Sequence, residues 1–140
     1  MDNLKLENQL CFPLYVCSKE IIKKYKPYLE QIDLTYTQYI VMMVMWEDKE
    51  IQFRDLSKKL YLESNTLTPV LKKLEEKKFI KREKITGNDK NIILKLTKDG
   101  IVLKEKAKTI PKLMESCLNI KYKDYEDLKE ILDRIMKTFN

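Results

Sequence analysis

Histidine is absent from the chain, and its 140 residues hold only two glycines, three cysteines, four prolines and one tryptophan. Without histidine there is no Ser-His or Cys-His nucleophile pair, no HExxH metal helix and no imidazole to move a proton near neutral pH. Two glycines cannot build a dinucleotide fingerprint or a phosphate-cradling P-loop. The commonest enzyme chemistries are thereby removed, and neither a metal nor a cofactor is expected; a thiol peroxidase remains conceivable. Long apolar runs are missing too. Tyr39 to Trp46 is apolar on all sides, yet far short of the roughly 20 residues that a membrane span needs. Leu10 to Cys17 follows a segment with Asp2 and Glu7 and no net positive charge, unlike a secretory signal. No membrane partner is expected, and a cytoplasmic location with reduced cysteines is.

What is present is apolar content and positive charge. At 44% apolar residues the chain has enough material for a packed core, and 28 Lys+Arg against 22 Asp+Glu leave a net charge of +6. Residues 1–140 are expected to be a single domain, within which residues 35–47 form a buried core helix.

Residues 53–96 have the layout of a winged helix-turn-helix. Phe53, Leu56 and Leu60 recur at helical spacing, Tyr61-Leu62-Glu63 breaks the period, and Leu67, Val70, Leu71 and Leu74 restart it. Ser64, Thr66, Thr68, Lys72 and Lys73 are left to face outward from this second helix, the candidate recognition helix. Either Ser64 or Thr66 could cap it; Pro69 loses one hydrogen bond in the first case and none in the second. Phe79 and Ile80 are expected to close that helix against the core. Ile85 and Ile92 to Leu96 have strand character, and Thr86 to Asn91 form the hairpin tip, where Gly87 and Asn88 tolerate positive φ.

Such a layout puts one helix in a DNA groove and a hairpin beside it, with phosphate-binding charge from Lys72, Lys73, Lys77, Lys78, Lys81, Arg82, Lys84 and Lys90. A helix pair with a hairpin can also be a ligand-free core, and a charge run is often only a solvated face; the two together favour DNA. The candidate DNA contacts are Ser64, Asn65, Thr66, Thr68, Lys72, Lys73, Arg82 and Lys90. With only three arginines in the chain, hydroxyl and amide groups would share the base contacts.

Residues 7–30 and 97–139 flank this region as amphipathic helices. Tyr125, Leu128, Ile131, Leu132, Ile135, Met136 and Phe139 form a stripe in the last, and one long helix from about Thr97 carries Ile101, Leu103, Ala107, Ile110, Leu113 and Met114. Two ends with more apolar surface than a small winged helix can cover point to a homodimer, which presents two recognition helices to a palindromic double-stranded site. An intramolecular bundle is the alternative. The expected fold is therefore mainly α with a small β-wing, dimerised by helices from both termini.

The element order, with LTPVLKKLEEKKFIKRE and the later LTKDG, resembles the MarR family of winged-helix repressors. LENQLCFPLY, KKYKPYL and LTYTQYIV narrow the resemblance to its organic-hydroperoxide-sensing (OhrR-like) branch and staphylococcal-type thiol-switch relatives. The resemblance implies that Cys11 is the redox sensor and that Tyr15, Tyr25 and the partner subunit's Tyr36 hydrogen-bond its thiolate. It also implies an intersubunit Cys11–Cys117 disulfide on oxidation, with Cys17 a bystander and a mixed disulfide to a small thiol as the other route.

Residue chemistry adds to this. Tyr15 shares a helix face with Cys11, and Tyr25, fourteen residues on, returns to roughly the same side. A helix starting near Asn8 places Cys11 in its first turn, where negative charge is favoured. By pattern alone Cys11 would be a buried structural thiol. Two departures stand out: the family's wing Asp-x-Arg is replaced at Asn88, Asp89 and Lys90, and Pro13 loosens a turn beside the sensor unless it lies in the helix's first residues. The expectation is a repressor that releases DNA when organic hydroperoxide oxidises Cys11. The alternatives are a thiol-switch global regulator of stress, virulence or biofilm genes, a Cys11 thiol peroxidase, and a basic adaptor for a protein partner.

Overall fold

The computed structural model describes residues 3–85 and 91–139. A 3-10 helix (Leu6–Asn8) precedes α1 (Cys11–Glu30), α2 (Tyr36–Asp48), β1 (Glu50–Gln52), α3 (Phe53–Leu60), α4 (Ser64–Glu76), β2 (Ile80–Lys84), β3 (Ile92–Leu96), α5 (Lys98–Ala107), α6 (Ile110–Leu118) and α7 (Tyr122–Met136), and a 3-10 turn (Lys137–Phe139) follows. This is a mostly helical winged helix with a three-stranded antiparallel sheet in the order β1-β3-β2. Where the sequence suggests one domain, internal contacts divide the chain into two compact units, Met1–Ile110 and Pro111–Asn140.

The first unit is built around α2. Thr35 starts this helix with a capping box: its hydroxyl accepts from the Gln38 N–H at 3.3 Å, and the Gln38 side chain accepts from the Thr35 N–H at 3.1 Å. Val41, Met42 and Met45 are fully enclosed, as are Leu56 of α3, Leu67, Leu71 and Leu74 of α4, and Leu94 of β3. The heptad-like stripes of α3 and α4 thus bury one face each and leave their polar faces outside. Buried Trp46 donates from its indole N–H to the Gly100 carbonyl at 2.9 Å, joining α2 to α5. A Cβ on Gly100 would stand 2.4 Å from the Phe79 carbonyl oxygen and 2.6 Å from Leu96 Cδ1, so only glycine allows α5 to approach this closely.

Four local features differ from the sequence expectations. Strand β1 is unforeseen, because three residues with polar ends carry no strand signal; it exists through pairing Glu50 to Lys95 and Gln52 to Ile93 along β3. The Lys95 ammonium then lies between Glu50 at 3.5 Å and Glu83 at 2.9 Å. Ile80 opens β2 opposite Leu96 rather than closing α4, and Ile85 lies just past β2, its N–H still donating to the Asn91 carbonyl at 2.8 Å. The long helix expected after the wing is two, because Pro111 has no N–H to bond the Ala107 carbonyl and disfavours helical geometry at Ile110. The hairpin tip residues 86–90, including Gly87, Asn88, Asp89 and Lys90, lie outside the described residues.

Scarcity of glycine leaves a mark on the backbone. Asp33, Lys49, Tyr61, Lys78 and Asn119 all have positive φ, with Lys78 at 68° just after α4. The Lys78 N–H bonds the Glu75 carbonyl and the Phe79 N–H the Leu74 carbonyl, the helix-ending arrangement that usually employs glycine. Left-handed geometry costs a side-chain-bearing residue roughly 1–2 kcal/mol, partly offset by the extra unfolded-state freedom of glycine. Lys78→Gly should therefore raise unfolding free energy by about 0.5–1 kcal/mol in urea titration; a decrease would show that this strain is relieved elsewhere.

Candidate redox sensor and nucleic-acid interface

Cys11 is the first residue of α1, three positions nearer the helix start than a helix beginning at Asn8 would place it, and its thiol is exposed rather than buried in the core. No side chain caps this helix. First-turn N–H groups therefore remain available to a negative charge at the sulfur. Pro13 is the third helical residue, where an N–H needs no intrahelical partner, so it leaves the turn intact. Tyr15 lies one turn on from Cys11 and is 57% exposed, with the Lys19 ammonium 5.6 Å from its ring centroid.

Tyr25 corrects the sequence reading. Fourteen residues separate it from Cys11, which is about 21 Å along a helix axis, so sharing a side does not bring the two together. Instead the Tyr25 ring packs on Tyr36 and Tyr39, at centroid distances of 5.1 and 5.7 Å. Tyr39 in turn meets the edge of Trp46 at 6.4 Å. Desolvation pushes the Tyr36 phenol above its ordinary range; desolvation and the neighbouring Tyr36 do the same for Tyr39. Both rings are therefore hydrogen-bond donors at neutral pH. Tyr39 was not foreseen as part of this group, although its three-residue spacing from Tyr36 is a helix-face signal. An apolar pocket of about 310 Å³, lined by Ile22, Leu29, Leu34 and Tyr36 among others, opens beside the cluster. Cys17 is exposed on α1, and Cys117 is exposed in α6 of the second unit.

At the other end of the first unit, α4 begins at Ser64 with Glu63 as its extended N-cap, so neither Ser64 nor Thr66 caps it. Pro69 is the sixth helical residue and leaves the Asn65 carbonyl without its usual N–H donor. Ser64, Asn65 and Thr66 are exposed in the first turn, and Lys72 and Lys73 are exposed farther along. Among the described residues, only a loose 3.7 Å pair with Glu76 engages Lys73. Thr68 is different: its hydroxyl donates to the Ser64 carbonyl at 2.7 Å, turned toward its own helix.

Two of the basic residues assigned to the phosphate surface are used internally. The Arg82 guanidinium donates to Glu75 Oε1 through Nε at 3.2 Å and Nη2 at 3.0 Å, and the Arg82 backbone N–H donates to Oε2 at 3.2 Å. These bonds to Arg82 hold the Glu75 carboxyl below its usual range and bind β2 to α4. Arg82 thus positions the wing rather than projecting from it. Lys77 points into the protein, donating to the Asp33 carbonyl and to Gln38 Oε1. Among the described residues no cluster of metal-ligating side chains occurs, and no helix is long and apolar enough to cross a membrane.

Comparison with known proteins follows this geometry. The family described as transcriptional regulator SarA/Rot matches residues 23–107. The organic hydroperoxide resistance transcriptional regulator of Bacillus subtilis is 38% identical over 139 residues, covering 99% of this chain and 95% of that one. The HTH-type transcriptional regulator SarZ of Staphylococcus saprophyticus is 40% identical over 131 residues, covering 94% and 90%. Among solved structures, reduced AbfR bound to DNA superposes with a TM-score of 0.80 at 31% identity, covering 99% of this chain and 94% of that one. AbfR in its disulfide form gives 0.63 at 31% identity, covering 98% and 91%. These relatives are regulators and not enzymes. A winged helix with an exposed cysteine opening α1, on a chain this close to such regulators along its whole length, belongs to the SarA/Rot family of MarR-type transcriptional regulators.

Proposed function

We propose that this protein is a cytoplasmic homodimeric repressor that binds a palindromic duplex through α4 and releases it when organic hydroperoxide oxidises Cys11. The observation that carries the proposal is the exposed thiol in the first turn of α1, on a chain whose α4 exposes Ser64, Asn65, Thr66, Lys72 and Lys73. Dimerisation is supported by exposed apolar side chains on α1 (Leu14, Ile22) and on α7 (Tyr125, Leu128, Ile131, Met136), which a second copy would cover. Tyr15 from one turn away and the partner subunit's Tyr36 donate to the Cys11 sulfur, whereas Tyr25 lies about 21 Å along the helix from the thiol of its own chain. The apolar pocket beside Tyr36 suits the organic part of a hydroperoxide better than it suits hydrogen peroxide.

The Cys11 thiolate attacks the distal peroxide oxygen; the O–O bond breaks, an alcohol leaves with a proton from the medium, and the sulfur becomes a sulfenic acid. Condensation with the partner subunit's Cys117 thiol expels water and forms an intersubunit disulfide, while Cys17 takes no part. Drawing these segments together moves the dimer helices and spoils the one-turn spacing of the two α4 helices. Gel shifts with a palindromic duplex and non-reducing electrophoresis after cumene hydroperoxide test this. Parent and Cys17→Ser should release DNA and run as covalent dimers. Cys11→Ser should hold DNA throughout, and Cys117→Ser should form no covalent dimer. Repeated turnover of cumene hydroperoxide with a reductant and no DNA binding would instead make the protein a peroxidase.

A further inference from the structure

Lys77 stands at the C-cap of α4, yet it is not a solvated surface lysine: its side chain is only 24% exposed. The ammonium donates to the Asp33 carbonyl and, at 3.0 Å, to Gln38 Oε1, with Asp33 Oδ2 at 3.6 Å. Asp33 belongs to the turn between α1 and α2 and has φ of 56°. Gln38 is 6% exposed, and the oxygen that receives Lys77 also accepts the Thr35 N–H at 3.1 Å. One amide oxygen therefore serves both the cap of α2 and the end of α4. Gln38 sits between Tyr36 and Tyr39 in the first turns of α2, and those two rings with Tyr25 form the aromatic cluster. Tyr36 and Tyr39 are thus part of the α2 start, and Lys77 is bonded to that start through Gln38.

We infer that Lys77 is a positioning residue that couples the Tyr25–Tyr36–Tyr39 cluster to the recognition helix, through Gln38 and the Asp33 turn. The inference rests on the redox-controlled DNA binding proposed above and names the connection inside one subunit that carries it. When the sensor thiol ceases to hold the phenols, the rearranged α2 start draws the end of α4 with it, because the half-buried Lys77 ammonium is hydrogen-bonded to both the Asp33 carbonyl and Gln38 Oε1. With its donors spent inside the protein, Lys77 contributes no phosphate contact of its own.

Lys77→Met tests this, since methionine preserves the packing of the stem and removes every donor. The probe is the duplex that the parent protein selects from a pool of randomised palindromes. Affinity is measured for reduced protein and after cumene hydroperoxide. The variant is expected to bind within about threefold of the parent when reduced, while its ratio of reduced to oxidised affinity is smaller than the parent's by about fivefold or more. Fluorescence of Trp46, whose ring touches Tyr39, should still change on oxidation, showing that the sensor side responds while α4 does not. Lys77→Arg should restore part of the ratio. If Lys77→Met does not fold, Gln38→Met takes its place, with the same reduced ratio expected.

Equal weakening of both states with an unchanged ratio makes Lys77 a structural pin and overturns the inference. So does a salt slope that falls by about 0.9 per lysine removed, the mark of a phosphate contact. A parent that keeps its DNA after oxidation removes the redox proposal and this inference with it, whereas a switching parent and an equally switching variant remove only this one.

Discussion

Replacing Lys72 and Lys73 together by Ala is expected to weaken binding to every duplex, specific or random, on the order of a hundredfold at physiological salt. Both ammonium groups stand on the exposed face of α4, and the 3.7 Å pair of Lys73 with Glu76 is too loose and too exposed to withhold it from a phosphate. Each lysine on a phosphate releases counterions and contributes about 0.9 to the slope of log affinity against log salt. A dimer losing four such contacts should lose roughly 3.6 from that slope. Asn65→Ala should behave otherwise, leaving random-sequence binding nearly unchanged and altering preference among operators, as a base-edge contact does. A double lysine variant with an unaltered slope would remove α4 from the phosphate backbone.

Gly100→Ala should be the most damaging single methyl group in the first unit. The new Cβ meets a backbone oxygen, that of Phe79, and Leu96 Cδ1, both well inside contact distance, and Met42 Cε lies at 3.4 Å on a third side. The Phe79 oxygen is also the acceptor for the Thr97 N–H, so β2 and the start of α5 cannot separate without losing that bond. Displacing α5 also stretches the bond from Trp46 to the Gly100 carbonyl. Overpacking of this kind costs up to about 3 kcal/mol, and orphaning a buried acceptor adds to it. A loss of about 3 kcal/mol is expected in denaturant unfolding followed by Trp46 fluorescence, a large share of a typical domain's roughly 5–15 kcal/mol. A loss below about 1 kcal/mol would mean that α5 relaxes freely.

The positions of the helices around the core were legible in the residues themselves. Apolar side chains at three- and four-residue spacing must leave water together, and of the seven that this rule picks out in α3 and α4, Leu56, Leu67, Leu71 and Leu74 are enclosed while Phe53, Leu60 and Val70 are half-buried. The all-round apolar run of α2 pointed inside as directly, and Val41, Met42, Val44 and Met45 are buried there, while Met43 is exposed. The break between α5 and α6 was not read from the sequence, because the apolar period running through Pro111 suggested one continuous helix.

Tertiary structure alone decided which polar groups are free to meet a ligand. Arg82 and Lys77 stand in the same basic run as Lys72 and Lys73, and composition treats all four as candidates for phosphate. Arg82 was taken by Glu75 seven residues away and Lys77 by Gln38 thirty-nine residues away, so both cations are engaged within the protein. Helical period likewise put Tyr25 on the side of Cys11 but ignored the length of helix between them, and the ring went to Tyr36 and Tyr39. Periodicity records how each residue faces water on its own element, a local property set by 3.6 residues per turn. Hydrogen bonds and ion pairs depend on which elements are brought within about 3 Å of one another. That distance is set only when the apolar faces have packed, so it is written in the fold and not in the spacing.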